Sequence, residues 1–220
     1  MTKILESFQI RSPALGKSCQ LDLVEGLDPA HVDHIATVWT PLLVRQRNLA
    51  ILEYFSLPST QQTGDKWNET LGKYGAPDAH WDWQVKCGST PALNQHLFAL
   101  INGNDVEAIM LLQPGRVSRD SHHFPIFYVD YLAVGPWNRE PVQNPQRFRG
   151  LGTVLLGSAV NTSQAAGLEG RCGLHSLPQS EGFYRKAGMK DFGADATYQD
   201  LRYFEFESSA AAQFIGKGQS

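Results

Sequence analysis

The sequence predicts an α+β protein: a mixed, mostly antiparallel sheet of about seven strands flanked by helices. Three observations carry this expectation. Segments with alternating or β-branched character recur through 96–134 and again after 171. Two of them flank Asn102-Gly103, a strong local hairpin signal. Helical patterns separate the strand groups, in the order strand, two helices, three strands, helix, strand, helix, two strands, with no internal repeat.

The elements follow in order. Alternation in "CQLDLVEGL", 19–27, predicts a strand. Asp28-Pro29 then supplies a capping carboxylate and a first-turn proline. Val32, Ile35, Val38, Trp39, Leu42 and Leu43 continue at helical spacing, and Pro41 should kink or split that helix. Residues of about 53–95 are less regular and hold Trp67, Trp81 and Trp83, so a helix-bearing insertion is expected there. The hairpin spans 96–114, and "FPIFYVDYLAV", 124–134, is an aromatic and β-branched strand stopped by Gly135-Pro136. A helix from about 151 places Leu151, Val154, Leu155, Ala159 and Ala165 on one side, with Gly167 as its stop. "RCGLHSL", 171–177, is a strand. A short helix opens at Pro178 and closes at Gly188, and "MKDF" and "LRYFEFE" are the last strands. The reading gives an N-terminal extension (1–18), one domain (19–207) and a small, polar C-terminal tail (208–220) with partial disorder.

Bulk properties bound the function. With 220 residues and 42% hydrophobic content the chain can bury a sizeable core. A net charge of −3 gives no electrostatic case for a nucleic-acid partner. No stretch approaches the apolar length of a membrane helix, and the N-terminus lacks a signal-peptide pattern. Three widely spaced cysteines argue against a disulfide framework, so a cytoplasmic location is expected.

The most informative stretch is "NPQRFRGLGTVLLGSAV", 144–160. A helix N-terminus carries unpaired N–H groups and about half a positive charge. Glycines let a backbone approach a ligand closely and tolerate positive φ. Gly150 and Gly152 at the start of an apolar helix therefore suit an anion such as phosphate, with Arg147 and Arg149 able to add charge-assisted bonds. The pattern is neither a P-loop nor G-x-G-x-x-G. Taken alone, the fragment also fits an ordinary loop with a solvated arginine pair.

In context, the stretch resembles the GNAT superfamily of acyl-CoA-dependent N-acetyltransferases. The family's phosphate loop, Q/R-x-x-G-x-G/A, is matched by Arg147-Phe148-Arg149-Gly150-Leu151-Gly152. Its preceding L-x-V strand end is matched by Leu132-Ala133-Val134, and its Y-x-x-x-G-F helix end by Tyr184-Arg185-Lys186-Ala187-Gly188-Met189, with Met for Phe. The resemblance spans roughly 19–207 and is specific between 128 and 189. It implies acetyl-CoA as co-substrate, with the pantetheine arm between splayed strands at 126–134 and 171–177. Backbone groups of Leu132 and Val134 would pair with the pantetheine amides, with Ala133 between them also at the cofactor. Backbone N–H groups from Arg149 through Gly150, Leu151 and Gly152 to Thr153 would hold the diphosphate, and Tyr184 would act as acid beside the cofactor. Two departures stand out: the loop between Pro136 and Arg147 is longer than the family's common turn, and "HSLPQSEG" lacks the Asn the family often carries before its last helix.

Amide formation from a thioester needs a neutral amine. An alkyl amine with pKa near 10.4 is unprotonated at pH 7 only about once in 2,500 molecules, a cost of about 4.6 kcal/mol. A base is therefore needed. Asp130 shares a strand face with Tyr128 and is one candidate; His175 on the neighbouring strand could relay a proton, and Glu107 on the hairpin is a third. A strand N–H near Val134 would polarise the thioester carbonyl. His122-His123 has no further ligand at metal spacing, so no metal is expected, and Cys172 fits a small buried strand residue. Trp67, Trp81 and Trp83 fit either an acceptor-pocket wall or core filling. The leading expectation is acetyl transfer to a primary amine of a small molecule or protein by direct attack in a ternary complex, in a chain that could pair as a homodimer. The alternatives are a non-catalytic acyl-CoA-binding module and a toxin-like transferase acting on aminoacyl-tRNA, which the acidic balance disfavours.

Overall fold

The computed structural model describes residues 2–89, 95–121 and 123–218. One eight-stranded sheet has the order β1-β2-β3-β4-β5-β6-β8-β7. Its strands are β1 (Lys3–Arg11), β2 (Ser18–Glu25), β3 (His96–Asn102), β4 (Asp105–Val117), β5 (Pro125–Val134), β6 (Cys172–Ser176), β7 (Lys190–Asp195) and β8 (Leu201–Glu205). The helices are α1 (Pro29–His34), α2 (Thr40–Ser56), α3 (Gly64–Lys73), α4 (Trp83–Ser89), α5 (Leu151–Ala165), α6 (Glu181–Ala187) and α7 (Ser208–Gly218). This is the mostly antiparallel α+β class that the strand and helix patterns predict. The eighth strand is β1, which lies in the expected N-terminal extension. Its residues are mostly exposed, and its apolar side chains, Ile4, Leu5, Phe8 and Ile10, are buried no more than halfway. Among the described residues no helix is long and apolar enough to cross a membrane.

The chain divides into two compact units. The first comprises Met1–Ser89, Leu97–Ile109 and Ala133–Leu151. Here β1 and β2 pair antiparallel from Lys3↔Glu25 to Arg11↔Ser18. Asp28 caps α1 by accepting from the His31 N–H, as Asp-Pro at a helix start requires. Pro41 does interrupt the helix: Ile35–Trp39 form a π-turn between α1 and α2, which absorbs the missing proline N–H. Three of the tryptophans, Trp39, Trp83 and Trp137, are core. Trp39 and Trp83 are fully buried, with ring centroids 6.4 Å apart, and Trp137 lies 6.1 Å from Trp39. Trp67 packs on a cluster of Ala50, Leu71 and Ala76, while Trp81 meets Trp83 edge-on at 5.9 Å. Of the tryptophans named from the sequence, Trp83 fills core, while Trp67 and Trp81 are half-buried.

The second unit comprises Thr90–His96, Met110–Leu132 and Gly152–Ser220. In it β6 pairs β8 from Gly173↔Glu205 to Ser176↔Arg202, and β7 joins β8 with a bulge between Asp191 and Ala194. The middle of α5, Leu155 to Val160, is buried all round rather than on one stripe. The reason is α7, whose Ile215 comes within 3.7 Å of the Cβ position of Gly157. Val154 is accordingly half-buried and Ala165 exposed, against the predicted face. In the tail expected to be partly disordered, Ser208–Gly218 form helix α7: Ala211 is buried and the Phe214 ring lies 5.2 Å from that of Phe206. Gly188 closes α6 in the left-handed conformation that glycine adopts without strain.

Candidate active site

Two features of the second unit define the site. First, β5 and β6 are parallel neighbours, but their pairing covers only Phe127↔Cys172 and Tyr128↔Gly173. Both strands run on, β5 to Val134 and β6 to Ser176. They therefore part beyond Tyr128 and Gly173, which leaves a split whose apex lies at that pair. Second, Gly152 in the first turn of α5 faces Phe183 and Leu132 at ordinary contact distances, 3.6 and 3.8 Å from its Cβ position.

The chain leading into α5 is firmly held within the first unit. Asn138, almost fully buried, donates its amide to the Glu107 carboxylate at 2.7 Å and to the Glu107 carbonyl at 3.1 Å. Its Oδ1 accepts the Phe148 N–H at 2.8 Å, and its carbonyl accepts from Gln146. The Trp137 indole donates to the same Glu107 oxygen, and the Arg147 N–H bonds the Trp137 carbonyl at 3.1 Å. Glu107 is thus no exposed base. It is wholly buried, and burial lifts its carboxyl above the usual range despite three donors around it. Arg139 closes the other side of the loop, forking onto Asp78 and donating to the Val134 carbonyl. The long loop after Pro136 is in this way a clamped structure.

The predicted cofactor residues fall as follows. Arg147 spends its charge on Asp105 and Glu107, at 2.8 and 3.0 Å. Arg149 is exposed and bonds Gln146. Gly150 is exposed with φ +77°, and a Cβ there would meet nothing within 4 Å. Leu151 is buried, opening α5 where the pattern placed it, and Thr153 is exposed. Leu132 and Val134 are half-buried, and Ala133, facing the other way, is buried.

The catalytic candidates lie on two faces of the sheet. Tyr184 on α6 is buried against Phe204, 5.8 Å away, and burial pushes its phenol well above the ordinary tyrosine range. Alternation puts Tyr128, Asp130, Gly173 and His175 on the opposite face from Cys172 and Phe204. On that face the Tyr128 hydroxyl lies 2.7 Å from His175 Nδ1, and His175 Nε2 lies 3.0 Å from Asp195 Oδ2. Tyr198 stacks parallel on the imidazole at 3.9 Å. Asp195 also accepts from Thr197 and Arg119, and these bonds hold its carboxyl far below the usual range. Asp130 accepts from the Gln95 amide. The sequence reasoning missed Asp195 and Tyr198 altogether, since no spacing links them to His175. His122 lies outside the described residues.

No protein-family model matches the chain, and no curated protein matches it in sequence. Among solved structures the chain is similar to a GNAT-family acetyltransferase from Desulfovibrio desulfuricans, at 12% identity over 86% of this chain and 99% of that one, TM-score 0.48. The PaiA N-acetyltransferase of Thermoplasma acidophilum, in complex with coenzyme A, is similar at 12% identity over 85% and 98%, TM-score 0.48. A bacterial toxin matches at 13% identity over 59% and 76%, TM-score 0.48. At that identity and superposition, function rests on this chain's own residues.

Proposed function

We propose that this protein is an N-acetyltransferase that moves an acetyl group from acetyl-CoA to a primary amine by direct attack. The observation that carries the reading is the split between β5 and β6, which sits beside a helix opening on an exposed, positive-φ glycine. A diphosphate would take the N–H groups from Arg149 to Thr153, where the α5 dipole favours an anion and no side chain of Gly150 intervenes. Arg149 is the better placed arginine for it, since Arg147 is already paired with carboxylates. The pantetheine arm would lie along Leu132, Ala133 and Val134. Tyr184 would return a proton to the departing thiolate, a task suited to a phenol that burial keeps protonated. Asp130 and His175 are the candidates for accepting the amine's proton.

The test is calorimetric titration with acetyl-CoA, followed by thiol release across amines, lysine peptides and aminoacyl-tRNA. Binding and turnover are expected, with Tyr184→Phe lowering kcat and sparing acetyl-CoA affinity. No acetyl-CoA binding would refute the reading. Binding without turnover on any acceptor would reassign the protein as an acyl-CoA-binding module.

A further inference from the structure

The base can be narrowed from geometry, on the basis of the transferase reading. His175 has no free edge: Nδ1 meets the Tyr128 hydroxyl, Nε2 meets Asp195, and Tyr198 covers a ring face. Its side chain is no more buried than Tyr128, so what bars direct contact is that both ring nitrogens are engaged. It cannot touch an amine directly, so any proton reaching it must pass through Tyr128. Tyr128 itself sits at the last paired position before β5 and β6 part. Its ring is roofed by Arg116, an exposed side chain at the end of β4 with its guanidinium 4.8 Å from the ring centroid. The hydroxyl–imidazole bond thus crosses the apex of the split, on the sheet face opposite Tyr184.

We propose that Tyr128, His175 and Asp195 form a proton-accepting relay, with the Tyr128 hydroxyl as the group that contacts the acceptor amine. Asp195 accepts the Nε2–H and so fixes the tautomer whose Nδ1 lone pair faces the phenol. The ammonium form of the acceptor gives a proton to the Tyr128 oxygen as the phenol proton passes to Nδ1, which frees the nitrogen lone pair to bond to the thioester carbon. An imidazolium results, paired with the Asp195 carboxylate. The carbon–sulfur bond then breaks, Tyr184 supplies the thiolate's proton from the other face, and the second proton shed by the nitrogen restores that phenol through solvent. Tyr128 is the catalytic residue in this scheme; His175 and Asp195 act through it. The charged and titratable groups facing the imidazole are Tyr128, Tyr198, Tyr203, Asp195, Arg119 and Arg116. Burial, with the two arginines, lowers the His175 pKa and keeps the ring neutral and able to accept at pH 7.

The experiment compares full-length wild type, Tyr128→Phe, His175→Gln and Asp195→Asn, using acetyl-CoA with n-butylamine, L-lysine and hydroxylamine. General-base loss is expected to lower kcat for the two alkyl amines by about 100-fold, with acetyl-CoA affinity unchanged by calorimetry. Hydroxylamine is already unprotonated at neutral pH and should lose far less, whereas a merely structural defect would lower all three alike. The acid limb of the wild-type pH–rate profile should fall below the ordinary histidine range and vanish in His175→Gln. Equal losses for all amines, or an acid limb that depends on Asp130 rather than His175, would overturn the relay. So would a wild-type protein that binds acetyl-CoA yet acetylates none of the three. Failure to bind acetyl-CoA would instead strike the transferase reading itself.

Discussion

Asn138→Ala tests how the loop before α5 is held. The side chain makes three bonds in a buried setting: two donated to Glu107 and one accepted from the Phe148 N–H. Truncation leaves the Glu107 carbonyl satisfied by the Gly135 N–H at 2.7 Å. It strands the Phe148 N–H, whose residue is 1% exposed, and deletes one donor to a buried carboxylate. A stranded buried donor costs about 1–3 kcal/mol and a bond to a charged group about 1.5–3 kcal/mol. Water entering the vacated space offsets part of that sum, leaving a net loss of about 3 kcal/mol. In a chain of this size each kcal/mol moves Tm by about 2–4 °C, so a fall of roughly 6–12 °C is expected. Thermal melts followed by circular dichroism, with urea unfolding for the free energy, make the measurement. Asn138→Asp keeps the acceptor for Phe148 but sets a second carboxylate against Glu107. It should be as unstable as the alanine variant near neutral pH and recover on acidification as the pair shares a proton. An alanine variant within about 0.5 kcal/mol of wild type would refute the clamp.

Gly150→Asp adds a carboxylate in open space beside the proposed diphosphate, so acetyl-CoA affinity should be lost; Gly150→Ala, whose methyl meets nothing, should mainly incur the cost of positive φ. Calorimetry that finds full affinity in the aspartate variant would move the anion site elsewhere. Gly173→Ala drives a Cβ into the Tyr203 hydroxyl, which is itself bonded to buried Glu205, so overpacking by about 1–3 kcal/mol is expected and denaturant melts would read it. Asp195 titrates below its unfolded value, so its stabilising contribution is complete above about pH 4 and is lost as pH falls through the lower folded pKa. Urea melts across pH should show the gap between wild type and Asp195→Asn closing on acidification; a gap that widens would contradict the bonding described.

Short-range chemistry was legible in the sequence. Asp28-Pro29, Asn102-Gly103, Gly135-Pro136 and Gly188 each act within a few residues of themselves, and they set where α1 begins, β3 turns, β5 stops and α6 ends. The start of α5 at Leu151 behind Gly150 is of the same kind, since a glycine's φ and a helix's first turn are local properties. Tertiary structure decided what depends on partners far along the chain. Edge strand β1 leaves its few apolar side chains largely exposed, and what makes it a strand is its pairing with β2. Most of the tail became α7 because Phe206, Gly157 and Gly170 offer its apolar side a surface. Glu107 passed for a base in the sequence and is a clamp in the fold, because Trp137, Asn138 and Arg147 surround it from 30 or more residues away. Asp195 meets His175 only because β7 and β8 carry it there, and no pattern of residue types encodes that meeting: pairing between distant strands is set by the packing of the whole sheet.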